Sequence, residues 1–510
     1  MQGTDGRGKP AAGPSAGGYI TVYLALTVAA ALGLYLVLIK GARLGAAKMQ
    51  MESICRISQN AAMAEFHQEL HRRYDLFFID TTYGGAGGGN EVLGTHLKSY
   101  MEKNCERNYV LPFGRKRDWT SMAAGDVQVT GTRYACDQCG RAVREQVYAY
   151  MAADPAGALA ARILADADQW RGLEISGREW ANETHQSEED LKEALRKKRE
   201  EQRKENEEKE ENEEEVTSGE REAASDKPSE AEEMVDEMES FQFLPVLMQV
   251  FGNLDGLSNE RISGKDSLCG RGLHMGDGLS VPNSHHYPAA DEILFDLYLS
   301  EKTGNCAKPL DDGKLRYQQE YILCGKDSDR GNLEGTAARL ILIREASNCA
   351  YLFSDEEKMA RIRLVAMAAS LILLNPELEE PVSRALALAW SYLESVQDVR
   401  TLMTGGKVPL VKTSESWQTA LHELLSPLTA IRDRDSGEGL GYSEYLQGLL
   451  LLEGSSVKTQ RTMDIMEMDI REITGNPAFR FDLCLDGFGM HAEATACGKT
   501  FSFEGECGFN

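Results

Sequence analysis

YITVYLALTVAAALGLYLVLI, residues Tyr19 to Ile39, is a run of 21 residues without a charge or a proline. At 1.5 Å per residue a helix of that length covers about 30 Å, the thickness of a bilayer's hydrocarbon core. The segment therefore reads as a single membrane span. A cleaved secretory signal has a shorter apolar core and a small-residue cleavage site after it, whereas this run passes directly into Lys40-Gly-Ala-Arg43.

Beyond the span the chain stays free of proline until Pro112. Ile54, Ile57 and Ala61, then Met63, Phe66, Leu70 and Tyr74, recur at three- and four-residue steps, the period of an amphipathic helix. The spacing predicts one helix from about Tyr19 to Tyr74, its first half in lipid and its second half laid on a soluble body. Flanking charge orients the span only weakly. Arg7 and Lys9 precede it while Lys40, Arg43, Lys48 and Arg56 follow, a count that leans towards an internal C-terminal side. A body of more than 400 residues translocates regardless of so few charges, so the short tail, residues 1–18, is the segment expected in the cytoplasm.

The whole chain has 510 residues, 42% hydrophobic and 27% charged, the balance of a globular protein. Its 55 Lys and Arg against 81 Asp and Glu leave a formal charge of −26, which repels phosphate and argues against a nucleic-acid partner. Half of that excess lies between Ser187 and Ser240, where 23 side chains are acidic and ten basic. Eleven cysteines are too few, and odd in number, for a disulfide framework. Only Cys136-Asp-Gln-Cys139 has metal-like or redox-like spacing, and Gly140 to Tyr148 brings no His or Cys to complete a tetrahedral site.

Residues 75–186 read as a first α+β lobe. It holds a glycine-rich connector, Thr81 to Asn90, a helix over about Gly94 to Asn108, a strand over Asp126 to Ala135 and a helical run from Arg141 through Arg171. Residues 187–240 are an acidic low-complexity insert. Glu188, Lys192, Arg196 and Glu200 recur at four-residue steps with almost no apolar stripe to bury, and Thr217 to Ser229 is expected to be disordered. Residues 241–425 form a helical region: a short helix over Phe241 to Phe251, a long loop to Pro288, and helices over Asp291 to Ser300, Leu315 to Leu323, Leu333 to Phe353, Ser354 to Leu374 and Pro381 to Met403. Leu364 to Leu374 is apolar almost throughout but too short to cross a bilayer, so it is predicted to be a buried core helix. Residues 426–510 add a long helix from Ser443 to about Ile473 and a tail, Phe479 to Phe509, of two or three strands. The fold class is α+β, mostly helical, with a long N-terminal transmembrane helix extending into a soluble lobe, a helical middle and short C-terminal β-strands.

No motif supplies catalytic chemistry. The stretch TTYGGAGGGN lacks the Gly-Lys-hydroxyl ending of a phosphate cradle, and Gly405-Gly-Lys407 is followed by Val408. His67-Gln-Glu-Leu-His71 sets two imidazoles at i and i+4, but no third ligand is evident and surface histidines are the simpler reading. Asp327-Ser-Asp329 lacks the further acidic positions of a calcium loop and reads as a turn, with Gly325 closing one helix and an Asp capping the next. His285-His286 falls in a loop. No catalytic, cofactor-binding or metal residue is assigned, no cofactor is expected, and the chain is read as not an enzyme.

The Gly17-Gly18 pair before Tyr-Ile-Thr-Val-Tyr-Leu-Ala-Leu, and the helix running out of the membrane into a soluble lobe, resemble prepilin-like proteins, the TadE/TadG-like pseudopilins of tight-adherence (Flp) pilus systems in particular. The strings KGARLGAAKMQ, AEFHQELHRRYDLFFIDTTYG, LRYQQEYILCGKDSD, LILIREASNCAYLFSD, DVRTLMTGGKVPLVKT and GLGYSEYLQGLLLLE look like an uncharacterised family of single-pass proteins from Clostridia and related Firmicutes, typically encoded near such pilus genes. The resemblance implies a membrane-anchored minor pseudopilin or assembly component, anchored in the bilayer through residues 19–39. Its N-terminus would be cytoplasmic, its bulk extracellular, and its partners other membrane proteins of a pilus or secretion apparatus. It also implies a candidate prepilin-type processing site after Gly18, freeing Tyr19. Pilins carry Glu at the fifth residue after the cut, where this chain has Tyr23, which favours an uncleaved anchor. A membrane-tethered extracellular enzyme and an adaptor or sensor with a cationic ligand for the acidic insert are the alternative readings.

Overall fold

The computed structural model describes residues 16–85, 87–105, 120–152, 157–212, 229–264, 267–277, 279, 289–372, 374–434 and 437–509. Most of the tail 1–18, nearly all of Thr217 to Ser229 and the His285-His286 pair lie outside the described residues.

With no proline and no internal breaker, α1 runs as one helix over Ala16–Met63. It is not continuous to Tyr74: α2 (Gln68–Tyr74) is a separate helix. The break has a local cause. The backbone N–H of His67 donates to Phe78 O at 2.8 Å, and His67 Nδ1 accepts from the Leu70 N–H at 3.1 Å, so His67 caps a new helix instead of extending the old one. The buried stripe of α1 also differs from the predicted one. Ala47, Met51, Ile54, Cys55, Ser58 and Ala62 face inward, while Ile57 is exposed. Small side chains let this helix lie close to its neighbours.

The chain continues through β1 (Ile79–Asp80), α3 (Asn90–Cys105) and β2 (Ala123–Tyr134) to α4 (Arg141–Ala152). The predicted helical run from Arg141 to Arg171 is therefore two helices, because α5 (Gly157–Asn212) starts anew. That helix carries the chain into the acidic insert without interruption, and Leu191 is buried and Lys192 pairs with Glu239. Residues 229–240, grouped with the insert by composition, belong to α6 (Glu230–Gln242), an integral core helix. Ser229 and Glu232 form a reciprocal capping box, and Met234, Val235, Met238 and Phe241 are buried. The dense acids of this stretch occupy the outer face and disguise that apolar stripe.

There follow α7 (Val246–Phe251), α8 (Ala289–Lys302), α9 (Gln318–Cys324), α10 (Asp329–Ser354), α11 (Glu356–Ile372), α12 (Glu379–Met403) and the single turn α13 (Pro427–Ala430). Between α9 and α10 the cap is Ser328, whose side chain accepts from Gly331 N, with Asp329 inside the helix. The core of this body is a layer of α5, α10 and α12. Gly177 on α5 makes the closest crossing: a Cβ there would stand 2.1 Å from the carbonyl oxygen of Leu342 on α10. The prediction that Leu364 to Leu374 is buried fails. Ile362, Ala366 and Ala369 are buried, but Leu364, Met367, Leu371, Ile372 and Leu374 face solvent.

The predicted helix from Ser443 to Ile473 is also two, α14 (Tyr442–Leu452) and α15 (Ser455–Thr474), parted at Glu453 and Gly454. The tail forms β3 (Cys484–Ala496) and β4 (Lys499–Gly508). All pairing is antiparallel, and β3 is the central strand. Leu485 faces both Tyr134 of β2 and Ile79 of β1, so these lie on opposite edges of β3, and β4 shares the edge of β1 from Gly487 onward. The C-terminal strands thus complete a sheet begun by the first lobe. Leu93, Leu97 and Met101 of α3 share a second core with Phe488, Met490, Ala492 and Ala494 of β3 and the buried stripe of α1.

Candidate functional site

The feature with functional content is α1 and its seat on the body. Among the described residues Gly18–Met63 contains the one helix long and apolar enough to cross a membrane, and Tyr19 to Leu38 is exposed throughout. Gly18 and Tyr19 sit in the first turns of this helix, where Gly18 O accepts from Thr21 Oγ1 at 2.9 Å. Tyr23 is likewise exposed on it.

The helix first becomes buried at Ala47. From there it is riveted to the sheet. Thr120 Oγ1 donates to Gln50 Oε1 at 3.0 Å, and Gln59 Nε2 donates to Gly505 O on β4 at 3.0 Å. Met63 lies 24 residues past Ile39, which puts the end of α1 roughly 36 Å along its axis from the end of the span.

At that end, Glu65 gathers three donors from neighbouring elements. Tyr83 and Tyr100 donate their hydroxyls, at 3.0 and 2.5 Å, and the His96 ring lies at 3.2 Å, stacked on Tyr83 with centroids 4.1 Å apart. Burial and the Glu65 carboxylate both push the Tyr83 hydroxyl well above its ordinary value. Beside this cluster opens a pocket of about 630 Å³ lined by Met63, Phe66, Phe77, Tyr150 and Phe509, with Asn60, Asp75 and Gln146 at its polar points. Two of these polar points are engaged. Gln146 bridges the backbone of Phe77 and reaches Asp486, and Asp75 pairs with Lys302 at 2.7 Å. The pocket suits an apolar or aromatic group and carries no nucleophile–base pair among the described residues.

Polar side chains inside the body are fastenings. Arg344 on α10 donates to Asp398 at 3.0 Å, to the carbonyls of Pro409 and Leu410, and to Tyr445. Lys412 spans Glu394 and Asp398 at 2.6 and 2.7 Å, with all four charged groups fully buried. Burial would raise the Asp398 carboxyl, but Lys412 and Arg344 reverse that and hold it below the usual carboxylate range. A second set hangs on α15. Glu467 takes both guanidinium nitrogens of Arg271, Asp464 accepts from Tyr321, and Asp469 accepts from Tyr74 and Gln318. These tie α2, the loop after α7 and α9 to one helix.

The sequence candidates are dispersed. His67 uses Nδ1 as the α2 cap, and burial lowers its pKa. His71 stacks on Phe77, 4.2 Å between centroids. Asp329 is buried and accepts from Ser258, Arg316 and Tyr317. Cys136 is buried, its thiol pushed up chiefly by burial, while Cys139 is exposed. Among the described residues no group of three or more His, Cys, Asp or Glu is placed to hold a metal ion. Sequence reading missed the buried ion network. Its only trace is polar side chains at four-residue steps inside apolar helix faces, Arg344 with Asn348 and Glu394 with Asp398.

Residues 224–496 match a family of unknown function (DUF5702), more than half of the chain. The chain belongs to that family. The DUF5702 match takes in the helical body from α6 onward and ends with β3, leaving α1 to α5, β1, β2 and β4 outside it. No curated protein and no solved structure matches the chain.

Proposed function

We propose that this protein is a membrane-anchored, non-enzymatic, minor pseudopilin-like or assembly component of a Tad/Flp-type pilus or secretion apparatus. Its N-terminus is cytoplasmic and its body outside the membrane. The observation that carries the reading is α1 itself. One helix is apolar and exposed over its first half, and over its second half is seated on an antiparallel sheet completed by the C-terminal strands. A continuous helix couples the bilayer to the body without a flexible joint, as a component that must hold partners at a fixed height requires. The polar interior adds to this reading, because its buried acids and bases are committed to tying elements together rather than converging on an open cleft. The absence of Glu at Tyr23 favours a membrane-resident factor with an uncleaved anchor over a fibre subunit.

The test is deletion of the gene in its native host, with assembly of the surface fibre and release of secreted proteins as readouts. Loss of either, restored by the full chain but not by a chain lacking residues 19–39, supports the proposal. A deletion strain that assembles and secretes normally contradicts it.

A further inference from the structure

Cys55 on α1 and Cys105, the last residue of α3, are both buried in the core that these helices share with the sheet. Two ties fix how the helices, which pack on each other, run past one another. Just beyond the end of α1, Glu65 receives the Tyr100 hydroxyl at 2.5 Å and has the His96 ring at 3.2 Å, both from the middle of α3. Nearer the span, Gln50 receives the Thr120 hydroxyl, from the chain that follows α3. The two helices are therefore antiparallel. At 1.5 Å per residue Cys55 lies about 15 Å back from Glu65, while Cys105 lies about 8 Å on from Tyr100 and about 14 Å on from His96, so the two thiols stand within about one helical turn of each other.

The surroundings suit a bond between them. On its buried side α1 presents small residues, Ala47, Cys55, Ser58 and Ala62, and helices that meet through small side chains approach closely, as the Cα separation of a cystine, about 4.4–6.8 Å, requires. Burial is the main reason that the Cys55 thiol is pushed up to about 12, and the neighbouring Cys105 thiol is the next. Cys349 is also fully buried, and there the influences are burial, Glu345 and Ser391. With so little thiolate once the core has closed, the reaction belongs to the stage at which α3 docks, and the finished bond is then shielded from reductants.

We infer that Cys55 and Cys105 form a disulfide that staples α1 to α3. The two thiols give up two electrons and two protons to a disulfide oxidant. One thiolate attacks the oxidant's disulfide and releases a thiol, and the second thiolate then displaces the other oxidant sulfur as a thiol, closing the bond. The closed loop contains Glu65, Tyr83 and His96, so the staple also holds the cluster at the end of α1. In cells the bond rests on the proposed position of the body outside the membrane, where thiols meet an oxidising environment.

The test reads cystine-linked peptides by mass spectrometry in two samples. In the first, cells of the native host are quenched with acid and their free thiols alkylated without reductant. In the second, the purified full chain in nonionic detergent is treated with oxidised glutathione in urea below its unfolding midpoint, which lets α3 open at its end. A Cys55–Cys105 peptide is expected in both and is absent from Cys105→Ser, with Cys349 recovered as an alkylated thiol. Alkylated thiols at both positions in both samples overturn the inference. So does a bond from Cys55 to Cys497, whose Sγ lies 3.5 Å from Thr120 O. A pair that links in detergent but is recovered as thiols from cells supports the pairing and contradicts the placement of the body outside the membrane.

Discussion

Gln59, near the end of α1, donates Nε2 to the carbonyl oxygen of Gly505 on β4 at 3.0 Å, tying the long N-terminal helix to a strand 446 residues further along the chain. Because β4 pairs with β3, and β3 with β1 and β2, this one bond connects α1 to the whole sheet. Gln59→Leu removes the donor and leaves a carbonyl unpaired, a loss of about 1 kcal/mol. The expected outcome is a lower urea midpoint for the full chain in detergent and faster amide exchange over residues 47–63.

At the crossing of α5 and α10, Gly177 offers no space for a methyl group. Gly177→Ala gains about 1 kcal/mol in helix propensity, but its Cβ would meet the Leu342 carbonyl, which is backbone and cannot rotate away. Overpacking of this kind costs about 1–3 kcal/mol, so the net effect on thermal unfolding is destabilising. A neutral or higher melting temperature would contradict so tight a crossing.

Lys412 sits between Glu394 and Asp398 with no solvent to replace it. Lys412→Met leaves Glu394 buried without a cation and Asp398 with Arg344 alone, and costs about 3–5 kcal/mol. Denaturant titration is expected to show that loss, and Arg432→Met, at an exposed pair with Glu423, to show less than about 1 kcal/mol.

Acidity should stabilise the body. Burial is the largest influence on Glu320, Asp296 and Asp464, raising them to about 7, 6 and 6. A carboxyl whose folded value exceeds its unfolded value favours unfolding as pH rises through that interval. For Glu320 the window runs from its ordinary 4.5 to about 7 and is worth about 3 kcal/mol. The groups around it are Tyr442, Cys306 and Asp329. Urea midpoints are expected to fall between pH 5 and pH 8, and to fall less in Glu320→Gln, whose amide stays neutral. Parallel profiles for the two proteins would contradict this.

Leu374 at φ 51 occupies a conformation that costs an L-residue about 1 kcal/mol. Leu374→Gly is therefore expected to raise the stability of the isolated fold by about that amount, measured by thermal unfolding at protein concentrations low enough to dissociate any assembly. A lower melting temperature would show that the side chain contributes within its own chain.

The sequence made the gross order of elements readable because α1, α10 and α12 are long and strongly patterned. The errors cluster where local and tertiary signals part. Phe66 and Leu70 keep the helical period across a break that His67 imposes by capping α2. Around Met234 and Met238, acids on the outer face hide the core stripe of α6. For Leu371 and Leu374, composition signals burial but no part of the described chain supplies the cover. The site suffered most, since Gln59 meets Gly505, and Arg344 meets Asp398 and Tyr445, only once distant segments fold together.

The central claim is that α1 crosses the membrane once and leaves the body outside. The direct measurement is protease accessibility on intact cells of the native host, followed with antibodies to the body and to the N-terminal tail. The account predicts that added protease removes the body and leaves a short protected fragment carrying the tail. A body that stays intact until the cells are lysed would contradict it.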